Sequence, residues 1–107
     1  MRIRLIDVAK VIRSKNAGPF ELTLDVILKD EEIYEKIKEA QIFTPEMIAG
    51  MYHTPIDDIL GIIYFDPAHA VKITLRRRIP SGSFGETDIY GAQQHAPLAG
   101  MEFELRV

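Results

Sequence analysis

Cysteine is absent from the 107-residue sequence, which removes disulfide frameworks, thiolate zinc sites, iron–sulfur clusters and thiol nucleophiles together. Long apolar runs are missing as well. The longest, Ile59 to Phe65 with Gly61 inside it, is far short of a bilayer span. No metal-ligand spacing joins His53, His69 and His95, so no metal site is expected. The N-terminal MRIRLIDVAK carries charge where a signal peptide needs an apolar core, and a soluble cytoplasmic protein is the expectation. A net charge of only −3 gives no global attraction to nucleic acid or to anionic membrane.

What is present has the composition of an ordinary globular domain, with 47% apolar and 27% charged residues. One domain spanning residues 1–107 is expected at this length. Charge is unevenly distributed. Residues 1–20 carry five bases against Asp7, whereas residues 21–66 carry eleven acids against Lys29, Lys36 and Lys38. One face of the fold therefore differs electrostatically from another, unless the acids simply line a solvated helix.

The pattern of elements is mixed. IRLIDVAKVI is short and irregular, a strand or one helical turn. ELTLDVILK alternates, with Leu22, Leu24, Val26 and Leu28 on one side, and predicts a half-buried strand. Asp30, Thr44-Pro45 and Thr54-Pro55 are three helix starts within 25 residues, so the helical layer is broken into short pieces. Ile33, Ile37 and Ala40 form the narrow apolar stripe of the first piece. ILGIIYF is apolar on both faces, as a central strand would be. AVKITLRR alternates, sending Lys72, Thr74 and Arg76 outward, and pairs antiparallel with ILGIIYF through Asp66-Pro67-Ala68-His69. MEFELRV is a last strand. The residues thus describe an α+β sandwich, a mainly antiparallel sheet of four to five strands with short helices on one face.

Three segments hold more polar and special-geometry residues than folding requires. Arg13, Ser14, Lys15, Asn16 and Gly18 combine two cations, a hydroxyl, an amide and a flexible backbone. Read as a turn, they form a cradle for a small carboxylate or phosphate, with exposed cations on an ordinary turn as the alternative. Tyr90, Gln93, Gln94 and His95 form a hydrogen-bonding loop in which His95 is a candidate acid–base group. Asp66 and His69 lie at a strand end, where Asp-Pro is also a common turn initiator. Ser81 in Ser-Gly-Ser extends the anion site or is plain loop. The long polar stretch from Pro80 to Gly100 is expected to be the most exchange-labile part of the chain. Arg76-Arg77-Arg78 lacks interleaved aromatics and does not point to nucleic acid; it suits an anionic ligand, an acidic partner or a charge-protected edge strand. No complete catalytic set stands in this chain.

RSKNAGPFELTLDVI, YFDPAHAVKIT and IPSGSFGETDIYGAQQHAPL resemble the family called domain of unknown function 4387 over nearly the whole length. That resemblance implies a neighbour, a large chain like acyclic terpene utilisation protein A (AtuA). Small domains joined to such chains open with an RSGDKG-type loop similar to Arg13–Gly18 and are ferredoxin-like, which implies a ferredoxin-like two-layer sandwich here. It implies a small subunit lending Arg13, Lys15, Asn16 and the Tyr90–His95 loop to a shared cleft, where the two loops converge. The associated chemistry is hydration, dehydration or an acyl-CoA-related step on organic acids, with a CoA ester as a candidate substrate and no cofactor implied by this chain. Two other classes stand beside this reading, a non-catalytic interaction module and a homo-oligomer binding a small carboxylate between its protomers.

Overall fold

A computed structural model describes residues 1–17, 20–76 and 96–105. A short strand, β1 (Arg2–Arg4), runs into a single helical turn, α1 (Leu5–Val8), and then into β2 (Ala9–Asn16) and β3 (Glu21–Leu28). Two helices follow, α2 (Glu31–Glu39) and α3 (Pro45–Met51), before the hairpin β4 (Ile59–Phe65) and β5 (Ala70–Arg76). A turn, α4 (Ala96–Ala99), and β6 (Glu102–Glu104) close the described chain.

The helix starts form where capping chemistry places them. The Asp30 side chain accepts from the Ile33 N–H at 2.8 Å, and the Thr44 hydroxyl accepts from the Met47 N–H at 3.2 Å with Pro45 at the first helical position. Each satisfies a backbone donor that the helix itself cannot. The third start, after Pro55, gives one 3₁₀ turn, Ile56–Asp58.

Strands β2, β3, β5 and β4 lie side by side in that order, every pair antiparallel. β1 and β6 form a separate two-stranded ribbon. Leu22, Leu24, Val26, Val71, Ile73 and Leu75 face one side of the sheet and pack with Tyr34, Ile37 and Ile48 of the helices and Phe103 of the ribbon in one core. The architecture is α+β with helices on one face, as expected. A ferredoxin-like domain runs β-α-β-β-α-β. Here β3, α2, β4 and β5 follow that order, but the position beside β3 is filled by β2, which precedes it in the chain. The described residues do not make the full ferredoxin-like order.

Four expectations need correction. β3 is not half-buried: Thr23 and Asp25, on its other side, are buried too, because β3 is interior and flanked on that side by long side chains of its neighbours. β4 is not central but an edge strand among the described residues, with Ile63 and Phe65 exposed. Continuous apolarity therefore reports here on an uncovered face, not on burial between layers. β5 is interior, so Arg76 does not guard an edge. On α2 it is Tyr34 rather than Ala40 that is buried with Ile37. Most of the long polar stretch, residues 80–95, lies outside the described residues, as do Arg77 and Arg78; its end is the turn α4, which buries Leu98.

Candidate functional site

The sheet face opposite the helices carries the charge. Strand register fixes it as rows running from β2 to β4. One row is Arg13, Asp25, Lys72 and Ile63; the next is Lys15, Thr23, Thr74 and Gly61; the row on the other side is Val11, Ile27, Ala70 and Phe65. Side chains of one row stand on one face because alternate residues of a strand point the same way.

A depression of 420 Å³ opens on this face. It is lined by Arg13, Lys15, Asp25 and Lys72 on the polar side and chiefly by Ile27, Ile63 and Phe65 on the apolar side. Arg13 Nε donates to Asp25 Oδ2 at 3.1 Å, and the Asp25 side chain is only 12% exposed while that of Arg13 is 62% exposed. Asp25 thus lies low between two cationic neighbours. Lys15 and Lys72 form no ion pair among the described residues. Three cations around one carboxylate leave a surplus of two positive charges beside an apolar wall. Such a surface can hold a carboxylate or phosphate whose remaining part is apolar.

Over its described part, the expected cradle of Arg13, Ser14, Lys15, Asn16 and Gly18 is divided between two faces. Arg13 to Asn16 are still in β2, so Arg13 and Lys15 face the depression while Ser14 and Asn16 point to the helix side, where Ser14 is buried. Period-two alternation separates what a turn would have gathered. Gly18 lies outside the described residues, as do Ser81, Tyr90, Gln93, Gln94 and His95, so the meeting of the two loops falls there too.

Asp66 and His69 build the turn between β4 and β5 rather than the depression. Asp66 accepts from Tyr34 Oη at 2.6 Å and from Lys38 Nζ at 2.9 Å. These bonds hold its carboxyl below the usual carboxylate range, the Tyr34 bond first and Lys38 second. Tyr34 in turn is pushed well above the usual phenol range, by burial first and by the Asp66 carboxylate second. His69 adopts a left-handed backbone (φ 51°), its ring lies 5.6 Å from that of Tyr34, and its carbonyl accepts from the Leu28 N–H at 2.9 Å. Together they anchor the hairpin to α2 and β3. The Asp66 carboxylate thus makes its bonds within the fold.

Lys72 was not among the sequence candidates. Its signal was present in the alternation that sends it outward, but only register across three strands places it beside Asp25 and opposite Arg13. Among the described residues no three acidic or histidine side chains are grouped to hold a metal ion, and no helix is long and apolar enough to cross a membrane.

An antiparallel sheet with helices on one side and an amphipathic, cation-rich depression on the other defines a small α+β domain with one chemically distinct open face. The chain belongs to the family described as "Domain of unknown function (DUF4387)", which matches residues 5–102. No curated protein and no solved structure matches the chain.

Proposed function

We propose that this chain is the small subunit of an AtuA-like two-component enzyme and offers its open sheet face to an anionic ligand in a cleft closed by the larger chain. The single observation that carries this reading is the grouping of Arg13, Lys15 and Lys72 around Asp25 beside an apolar wall. Lys15 and Lys72, without an ion pair among the described residues, line the same depression as Arg13, so that one anion can meet three cations. The ligand is a small organic acid or its CoA ester. Arg13 and Lys15 hold its carboxylate or phosphate, Lys72 joins them, and His95 is the acid–base group of a hydration or dehydration step. The large-chain association rests on the resemblance of RSKNAG and of the long C-terminal motif, and the reaction class follows it by analogy.

Co-expression with an AtuA-like large chain, followed by turnover and co-purification measurements, tests the reading. Lys15→Ala and Lys72→Ala together should lower activity while the two chains still co-purify. Calorimetry with carboxylates and CoA esters should show binding weakened about tenfold per cation removed, the value of one charge-assisted hydrogen bond. Loss of association with unchanged ligand binding would instead favour a non-catalytic docking module, a reading that the exposed Ile63 and Phe65 support.

A further inference from the structure

Every side chain from Ile59 to Phe65 is uncharged, yet β4 is an edge of the sheet among the described residues. The opposite edge, β2, carries Lys10, Arg13 and Lys15. Charge on an edge strand blocks pairing with a further strand, and an uncharged, apolar edge invites it. Exposed large apolar side chains gather at the same place. Leu60 is 43%, Ile63 59% and Phe65 53% exposed, and Ile56 just before the strand is exposed too. Two independent features, an uncharged backbone edge and a concentration of uncovered apolar surface, therefore fall on one strand.

We propose that β4 pairs antiparallel with β4 of a second copy about a two-fold axis at Ile63, giving one continuous eight-stranded sheet. The segment Gly61–Phe65 is self-complementary about that centre. Ile63 stands opposite Ile63 of the second copy, Ile62 opposite Tyr64, and Gly61 opposite Phe65. Each pair also keeps to one face. Gly61, Ile63 and Phe65 share rows with Thr74, Lys72 and Ala70 on the open face, while Ile62 and Tyr64 share rows with Ile73 and Val71 on the helix face. The irregular pairing between Ile59 and Gly61 lies outside the segment. A side chain built at Gly61 would meet nothing within 4 Å, so the Phe65 ring of the second copy has room to lie over it. An aromatic across from a strand glycine restores the packing that the glycine lacks.

The pairing has a consequence for the open face. The row Arg13, Asp25, Lys72, Ile63 would run on into its own mirror order, and the apolar sides of two depressions would meet at the two-fold axis with cations at both far ends. Of the acids near the segment, Asp66 is paired with Lys38 and Asp58 lies 3.8 Å from Arg76.

The absence of cysteine makes the test direct. Side chains directly opposite in an antiparallel pair have Cβ atoms about 4.5–5.5 Å apart, and their Cα spacing falls within disulfide range. Ile63→Cys should oxidise to a covalent dimer, whereas Lys10→Cys on the β2 edge should not. Light scattering on the unmodified chain at roughly 100 μM, well above a micromolar dissociation constant, should give the dimer mass. Ile63→Lys sets two cations opposite each other and should weaken the dimer about tenfold or more. Mixing it with Ile63→Glu should restore a heterodimer. A monomeric wild-type chain, Ile63→Cys cross-linking no better than Lys10→Cys, or an Ile63→Lys dimer as tight as wild type would each overturn the proposal. Ile63 is exposed in the single chain, so circular dichroism should show both charged variants folded; if either is not, the cysteine pair and the wild-type mass still decide. Ligand binding by Lys15 and Lys72 is measured separately and does not enter these outcomes.

Discussion

The two faces of the four-stranded sheet are drawn from the same strands, residue by residue in alternation, yet they are built for different ends. On the helix side, Leu24, Val26, Val71 and Ile73 are fully buried against Tyr34, Ile37 and Ile48. On the other side, the same stretches of β3 and β5 present Asp25 and Lys72, with Arg13 and Lys15 from β2 and Ile63 and Phe65 from β4. A side chain on the first face stabilises the chain by leaving water. One on the second face keeps its contact with water. A buried apolar face and an open charged one are thus separated by the pleat of the strands rather than by position along the sequence.

Substitutions that act on one face only can break that separation. The largest effect is expected in the core: Leu24→Ala should destabilise the fold by about 2–5 kcal/mol in urea unfolding, through lost transfer energy and the cavity left behind. Asp25→Ala should act on both properties in opposite directions. It removes a low-lying carboxylate and its bond to Arg13, costing about 1 kcal/mol after allowance for the exposure of the arginine. It also raises the net positive charge of the depression, so calorimetry should show carboxylates binding several-fold tighter. Lys15→Ala with Lys72→Ala should do the reverse, leaving stability within about 0.5 kcal/mol of the starting value while anion affinity falls. A large loss of stability in that double variant would show that the open face also supports the fold.

The smallest effect concerns the turn at Asp66. Its carboxyl titrates below its ordinary value of 3.8 in the folded chain, so the folded state binds this proton less readily than the unfolded one. The stability it contributes is therefore complete above that ordinary value and is lost as pH falls through the lower, folded one. Nuclear magnetic resonance titration of Asp66 should show its midpoint move up toward the ordinary value in Tyr34→Phe, because the hydroxyl that favours the ionised form is gone. An unmoved midpoint would assign the depression to Lys38 alone.

Much of the fold was legible because it rests on local rules. The caps at Asp30 and Thr44, the alternation of β3 and β5, and the turn through Asp66-Pro67 each declare themselves within a few residues. The site was legible in part. Arg13 and Lys15 stood out as cations near a predicted turn, but the strand runs on through them and turns Ser14 and Asn16 away. Asp66 and His69 have the residue types of a site and the bonds of a turn. Nothing in their spacing distinguishes the two, because the deciding partner, Tyr34, stands more than thirty residues away. β4 misled for a similar reason: its composition is that of a covered strand, and no local signal says that among the described residues one of its edges is unpaired and Ile63 and Phe65 are exposed.

Composition and short-range pattern determined that this chain is a mixed α+β domain without thiol chemistry, which residues of β3 and β5 enter the core, and that positive charge gathers near residue 13. Periodicity and capping act over one or two turns of chain, and that is as far as their information reaches. Strand order, register and sheet edges are set by contacts between distant segments. Only the tertiary structure, therefore, decided that Lys72 joins Arg13 around Asp25, that Asp66 serves α2, and that the most apolar strand lies at the rim.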